Sequence, residues 1–566
     1  MLNLRRILNI ISGLRLFFHS LFYRFVPVNF LHRRSIVRFC SFKKFKRISG
    51  TFKGKKIIFA PINSFADRVN VYEALFARVF SEQGASVSFI TCNQGLPMCS
   101  WNRNANNSET MDLINSNDEK FLTRSKCSLC KSKFERFYGG NDSINLLHLS
   151  AYANVKDNDY IRKTVSQINL SADKYFYKGV NVLEHSRASA IRNLLIGELD
   201  LDEEAHKTLL LKYLHSAVKY VDVLTLILEK ERPDVVCCIH GLYLEHGVLV
   251  DLCSHLNIRI VISGTPFKKN CLWFSVGDTY HREIAYDKDF SWADRSLSEN
   301  ENKRLLDYVQ SKQTGGLDNV SYHPNPNISE VSIRSELGLK QNDKLISVFT
   351  NTIWDSQIIY KENAFKNHKE WLISTIKTAQ SIPEYKFVIR VHPAEVKSGL
   401  TTNNSVTDQI FTHFNILPDN VILVPPESDI SSIDLGVMSE ASIIYASKIG
   451  IELAVKGQLV IVAGEAICRN KNFTIDVKDP SHFSSILKNI DYHIQKFDPQ
   501  KSISLAIKWS YHLFYEIMIP LQWATSNIRK GEDAFVYMPV SNSDYAYIQN
   551  ICQQILEADK IRVPRT

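Results

Sequence analysis

The residues best suited to chemistry are basic, hydroxyl-bearing and carboxylate side chains that follow short apolar runs in the second half of the chain. Asn351, Thr352 and Asp355 stand at or after KLISVFTN, and Arg390 and His392 close KFVIRVHP. Ser447, Lys448, Gly450 and Glu452 follow ASIIYAS, and Arg469 and Lys471 follow QLVIVAG. A departing nucleoside phosphate gathers negative charge on oxygen, and fixed cations and helix-start amides can meet that charge without a metal. Arg390 suits a bidentate pair with phosphate, whereas Lys448 would act as a point charge. Glu452 falls in the first turn of the helix expected after SKIG, where a carboxylate can accept from ribose hydroxyls. Each residue also has a plainer reading. His392 can cap a strand end, Arg390 can serve an internal ion pair, Arg469 and Lys471 can be solvated charges, and 441–476 can be ordinary strand-helix-strand structure.

An acceptor hydroxyl needs a base if the transfer inverts configuration. Glu245 and His246, in HGLYLEHG after DVVCCIHG, are the favoured candidates, and Asp67, after KKIIFAP, is the rival. A carboxylate at a helix start is equally a cap, and a retaining reaction would need no such base. Cys92, Cys99, Cys127 and Cys130 share one polar, Asn-rich excursion, the last two as CSLC. Four thiolates can close a tetrahedral zinc site, with free thiols or a redox pair as alternatives. No cofactor is expected for catalysis, since the DxD triplets at Asp157, Asp200 and Asp287 all precede residue 311 and none follows one of the apolar runs of the second half.

The elements that must position these residues follow from pattern and composition. At 566 residues, with 45% hydrophobic and 22% charged, the chain is too long for one core and too apolar for global disorder. Its net charge of +9 is local: residues 1–56 hold fourteen Lys or Arg and no acid, leaving the rest net −5. In that arm Ile7, Ile10, Ile11, Leu14, Phe18, Leu21 and Phe25 keep a helical period, while Arg6, Arg15 and Arg24 break any membrane-spanning run. The preferred reading of 1–50 is an interfacial helix on an anionic inner membrane surface. Docking on the protein itself, nucleic-acid binding and an organelle presequence are the alternatives.

From residue 55 short apolar runs alternate with helical patterns, as in parallel sheets covered by helices. Residues 311–330 lose periodicity and gather Gly, Pro, Asn and Ser, which marks them as a linker. The expected organisation is therefore the arm at 1–50, a first Rossmann-like domain at 51–315 with the Cys-containing insertion, a second at 325–500 and a helical tail at 501–566. Two Rossmann-like α/β domains facing an interdomain cleft would bring ligands to the carboxyl ends of their strands.

The ordered set VFTNTIWDS, RVHPAE, LPDNVILVPPESDISS, YASKIGIELAVKG and VAGEAICRNKNFTID resembles the capsular polysaccharide biosynthesis family of bacterial glycosyltransferases over roughly 320–480. RPDVVCCIHGLYLEHGVLVD is similar, more loosely, to the first half of such proteins. The resemblance implies a GT-B fold and transfer of a sugar from a nucleotide donor to a glycan or glycolipid acceptor, while the scattered, buried-strand cysteines and the basic arm point to a cytoplasmic, membrane-peripheral enzyme. Lys448 departs from the pattern, since relatives often carry a small hydroxyl residue there. A CDP-glycerol-like polyol phosphotransferase, a nucleotide-sugar epimerase and a noncatalytic membrane-associated scaffold are the competing readings, and nucleic acid is not an expected partner.

Overall fold

The structure, a computed structural model, describes residues 50–564 apart from 64–66, 101–126, 129, 133, 135–143, 153–157, 315–316, 320–325, 327, 362, 398–401, 522–524, 530–531 and 537–540. The basic arm lies outside the described residues up to 49. No helix among the described residues is long and apolar enough to cross a membrane. The chain forms two compact units, one of 1–193, 200–280 and 517–566, the other of 194–199 and 281–516.

In the first unit β1 (Lys56–Ile62), β2 (Ser86–Thr91) and β3 (Ile144–His148) are followed by a small hairpin of β4 (Phe176–Tyr177) and β5 (Val180–Asn181). Then come β6 (Val235–Ile239), β7 (Ile260–Gly264) and β8 (Cys271–Val276). The main sheet runs β3-β2-β1-β6-β7 in parallel, with β8 antiparallel on β7. VVCCI and IVISG are apolar or small throughout because helices cover both faces, and every residue of both strands is buried. The crossover helix Glu204–Glu231 stops at Arg232, whose φ of 48° is left-handed and which precedes Pro233. Asp234 then accepts from the Lys56 backbone amide at 2.8 Å, tying the entry of β6 to β1.

The second unit holds β9 (Lys344–Phe349), β10 (Tyr385–Arg390), β11 (Val421–Val424), β12 (Ala441–Ile444), β13 (Val460–Val462) and β14 (Ile475–Asp476). All pair in parallel in the order β11-β10-β9-β12-β13-β14. Counted along the chain this is 3-2-1-4-5-6, the doubly wound order in which chain direction across the sheet reverses beside the first strand. Helix starts are marked by side chains that satisfy orphan amides. Asn367 caps His368–Gln380, Ser405 and Asp408 form a capping box for Val406–His413, and Asp498 precedes Pro499 at the first position of Pro499–Tyr511.

Both units are thus Rossmann-like, as the alternation in the sequence implies, but their boundaries differ from the expected ones. Helix Glu299–Thr314 packs on Pro499–Tyr511, with Tyr308 edge-on to Phe514 at 4.7 Å, so it belongs to the second unit. The stretch read as a linker holds buried Asp318, which accepts from the Tyr308 hydroxyl at 2.5 Å. The tail also divides. Residues up to Glu516 stay with the second unit. Beyond them β15 (Ile519–Pro520) adds antiparallel to β8, and helix Asn542–Glu557 packs on helix Asp67–Glu82 of the first unit. Tyr545, Ile548, Ile551, Cys552 and Ile555 join Phe76, Phe80 and Phe274 in one buried cluster. Each large apolar side chain placed there contributes about 1.5–3 kcal/mol.

Candidate functional site

In the second unit β9 and β12 lie at the point where strand order reverses, and the residues after them line the crevice that this topology creates. Asn351 bridges it: its Oδ1 accepts from the Ala446 amide at 3.0 Å, joining the end of β9 to the end of β12. The Asn351 amide donates to His368 Nε2 at 3.2 Å. On the other side the Thr350 hydroxyl accepts from the His392 amide at 2.9 Å and donates to the Arg390 carbonyl, linking β9 to β10. His392 Nδ1 in turn accepts from the Ala394 amide at 3.1 Å, which leaves the ring proton on Nε2. The half-buried His392 ring therefore carries a fixed N–H donor at the carboxyl end of β10. His368 is locked oppositely, with its proton on Nδ1. Burial and the nearby His392 push its pKa down to about 3, so it stays a neutral acceptor under the Asn351 amide. Sequence reasoning passed over His368; the signal was the N-x-x-E cap of KNHKE, which sets it at the first helical position beside the site.

Three cations expected to hold phosphate are spent on the protein's own carbonyls. Arg390 is 1% exposed and donates to the carbonyls of Val391, Pro425 and Ser428. Burial lowers its pKa to about 10. Arg469 donates to the carbonyls of Val462, Gly464 and Val477, fixing the turn after β13. Lys471 is fully buried, donates to the carbonyls of Ala285 and Asp287, and lies 4.5 Å above the Trp509 ring. None of the three is a solvated charge either. Buried polar groups must be satisfied, and these residues satisfy turns that lack backbone partners.

Around the start of helix Ile449–Val455, Ser447 Oγ accepts from the Ile449 amide at 3.4 Å. Lys448 is paired with Asp318 and stands 3.8 Å from Glu452, whose side chain is 7% exposed. The ammonium thus covers the carboxylate expected to face ribose. Gly450 has a packing role: a Cβ there would come within 2.6 Å of Ile444 Cδ1 and 2.8 Å of Cys468 Sγ. Thr352 and Asp355 share a turn in which the Thr352 carbonyl accepts from the Asp355 amide and Asp355 Oδ1 accepts from the Ser356 amide.

The acceptor-side candidates lie in the first unit. Glu245 has no exposed surface, and Ser100 donates to its two oxygens at 2.5 and 2.7 Å. Burial raises its pKa against those bonds. A carboxylate so enclosed reaches no acceptor hydroxyl without first leaving Ser100, so its evident work is to anchor that loop. His246 donates to the Pro61 carbonyl at 3.4 Å, and burial lowers its pKa to about 4. Asp67 begins helix Asp67–Glu82, but its side chain lies outside the described residues. At the corresponding strand reversal, after β6, His240 takes a left-handed φ of 64° and its carbonyl accepts from the Thr279 hydroxyl at 2.8 Å. A non-glycine residue in that conformation costs about 1–3 kcal/mol, and such strain gathers at functional turns.

Cys92 directly follows β2, Cys99 precedes Ser100, and Cys127 and Cys130 lie one helical turn apart. Among the described residues no group of three or more His, Cys, Asp or Glu, these cysteines included, is placed so that it could hold a metal ion.

No family model matches the sequence, and no curated protein matches it. Among solved structures the chain is similar to the beta Kdo 2,4 transferase of Thermosulfurimonas dismutans KpsC. The identity is 9%, with 58% of this chain and 88% of that one covered and a TM-score of 0.35. For the beta Kdo 2,7 transferase of the same KpsC the values are 11%, 59%, 88% and 0.31. The Neisseria meningitidis UDP-GlcNAc 2-epimerase bound to UDP-GlcNAc is 11% identical over 81% of this chain and 97% of that one, with a TM-score of 0.26. Likenesses this distant carry no chemistry across, and the assignment of two Rossmann-like units rests on the strand orders themselves.

Proposed function

We propose that this chain is a glycosyltransferase of GT-B type that takes a nucleotide-activated sugar on its second unit and passes the sugar to a capsule or other surface glycan. The observation that carries this reading is the Asn351 bridge across the strand reversal, flanked by the fixed Nε2–H of His392. A crevice at that point of a doubly wound sheet is where such folds hold nucleotides, and an oriented N–H donor suits a leaving phosphate oxygen. Lys448 is the cation of this site, exchanging Asp318 for phosphate when a donor binds, which uncovers Glu452 for the ribose. Arg390, Arg469 and Lys471 act one layer below, holding the turns that present these groups. The motif order from NTIWDS through RVHP to SKIGIE supports a sugar donor over a polyol phosphate donor.

A thermal-shift screen of CMP-, UDP-, GDP- and CDP-linked donors tests the reading, since a bound donor stabilises the folded protein by mass action. One class should raise the melting temperature, and both N351A and H392A should abolish that rise. No response to any donor, or an unchanged response in both variants, would overturn it. The arm at 1–50 is proposed to hold the enzyme at an anionic membrane surface. Deleting it should remove salt-sensitive binding to phosphatidylglycerol vesicles, and unchanged binding would exclude that role.

A further inference from the structure

We propose that Ser356, Tyr360 and His281 form the subsite that reads a hydroxyl of the donor's sugar, an inference that rests on the nucleotide-sugar reading above. The three side chains are joined in one chain of hydrogen bonds. Ser356 Oγ lies 3.0 Å from the Tyr360 hydroxyl oxygen, which in turn lies 2.9 Å from His281 Nδ1. All three belong to the second unit, although His281 and Tyr360 stand 79 residues apart in the sequence.

Their place on the sheet comes from the segment 351–365, which is pinned at both ends to the carboxyl edge. At its start Asn351 Oδ1 accepts from the Ala446 amide just after β12. At its end the Ala364 amide donates to the Ala463 carbonyl just after β13, and Asn363 Oδ1 accepts from the Glu465 amide, both at 2.9 Å. The Tyr445 hydroxyl adds a bond to the Phe365 carbonyl at 3.4 Å. This second pin needs a glycine: a Cβ on Gly464 would lie 2.7 Å from the Tyr445 carbonyl oxygen and 2.9 Å from Asn363 Oδ1. Between the pins, Asp355 Oδ1 accepts from the Ser356 amide, and Ser356–Ile359 forms a turn of 3-10 helix that leads into Tyr360. Ser356 and Tyr360 are thereby held at the edge where β9 and β12 end, on the same segment as Asn351. The set consists of hydroxyls and an imidazole, so its chemistry matches a sugar hydroxyl better than a phosphate.

A chain of two hydroxyls ending on an imidazole can run in either sense. With His281 Nδ1 accepting from Tyr360, Tyr360 accepts from Ser356, and Ser356 Oγ offers its lone pairs to a substrate hydroxyl. With the proton on Nδ1, His281 donates to Tyr360, Tyr360 donates to Ser356, and Ser356 donates to the substrate. The subsite thus meets a sugar hydroxyl in whichever role its ring geometry leaves open, and the His281 tautomer follows. Ser356 is 8% exposed, so a sugar hydroxyl that reaches it displaces little water. A donor lacking that hydroxyl leaves the chain one bond short in a partly dry site, which is the setting in which a missing hydroxyl is discriminated against most strongly.

Calorimetric titration of the full-length protein tests this with paired probes: UDP and UDP-N-acetylglucosamine, GDP and GDP-mannose, CMP and CMP-N-acetylneuraminate, CDP and CDP-glucose. Wild type should bind the sugar-linked member of one pair more tightly than its bare nucleotide. S356A and Y360F should each bind that sugar-linked ligand about 3–10-fold more weakly, the loss of one neutral hydrogen bond. Both should keep the affinity for the bare nucleotide to within about twofold. A loss shared equally by nucleotide and nucleotide sugar, or no loss in either variant, would overturn the subsite and leave nucleotide binding standing. Binding of none of these ligands to wild type would overturn the nucleotide-sugar reading and the subsite with it. S356A deletes a single oxygen and carries the test if Y360F fails to fold, its bare-nucleotide affinity reporting an intact second unit.

Discussion

Replacing Glu395 with Gln should stabilise the second unit at alkaline pH and not at acid pH. Glu395 follows the RVHP turn, is 2% exposed, and accepts from the Val406 amide through Oε1 at 3.3 Å. Its Oε2 is buried without a hydrogen-bond partner among the described residues. Burial raises its pKa from 4.5 to about 7, with Asp408 and Glu427 adding to the rise and the Val406 bond opposing it. The folded protein therefore keeps this proton between about pH 4.5 and 7, where the unfolded chain has lost it. Stability is full below 4.5, falls as pH rises to about 7, and is level above. At 1.36 kcal/mol per pH unit the full loss is roughly 3 kcal/mol, and relaxation around the charge reduces it to about 1–3 kcal/mol.

Gln keeps the acceptor for Val406 and removes the charge, while its buried amide costs about 1 kcal/mol at every pH. The difference in melting temperature between E395Q and wild type should thus grow by about 3–8 °C from pH 5 to pH 8, for a unit of this size. Thermal unfolding at constant ionic strength, following the transition that E395Q moves, measures it. A difference that stays constant to within about 1 °C across that range would refute the reasoning.

Three further outcomes follow from named contacts. K471M should lower the melting temperature of the second unit by the equivalent of about 2–4 kcal/mol, since the Ala285 and Asp287 carbonyls lose their donor. It should leave nucleotide affinity unchanged, and an affinity loss at constant stability would restore Lys471 to the donor site. D318N should tighten nucleotide binding several-fold by calorimetry, because Lys448 gives up the nearer of the carboxylates at Asp318 and Glu452; no gain would remove Lys448 from phosphate contact. G247A should destabilise the first unit by about 3 kcal/mol, since a Cβ there would lie 2.2 Å from His185 Nδ1 and 2.4 Å from the Leu242 carbonyl oxygen. Unaltered unfolding would show that the bond between those two groups, at 2.8 Å, yields at little cost.

Strands announce themselves in this sequence because they are buried on both faces. DVVCCIHG, KLISVFTN and ASIIYAS each contain the strand read from them, and KKIIFAP covers all of its strand but Ile62. CLWFSV and INLLH, at or near sheet edges, were not anticipated, and INLLH buries only Leu147, so it lacks the apolar run that marks the inner strands. Site residues were legible by position and not by role. Asn351 and His392 stand where the strand ends imply, yet nothing in their identity says that one bridges two strands or that the other is held in a single tautomer. Arg390, Arg469 and Lys471 looked like ligand contacts because their partners are backbone carbonyls, which every residue carries and no side-chain pattern reveals. The boundary at 311–330 misled for a related reason: its polar composition hides Asp318, which is buried against Tyr308 and Lys448.

The return of the chain to its first unit sets an order of assembly during synthesis. The Tyr72 hydroxyl donates to the Leu521 carbonyl and Gln83 to the Tyr545 hydroxyl, across separations of 449 and 462 residues. A ribosome that has released residue 280 has delivered most of the first sheet but not the helix that covers helix Asp67–Glu82. The second unit, whose residues from 281 to 516 are nearly all contiguous, can reach its fold while Phe76 and Phe80 still await their cover. An apolar face is therefore left open for the time taken to translate more than two hundred residues, roughly 10–50 s at 5–20 residues per second. Chains cut short anywhere in the second unit carry that face permanently, which makes them substrates for chaperones and proteases and makes the far end of the gene a determinant of how the near end folds.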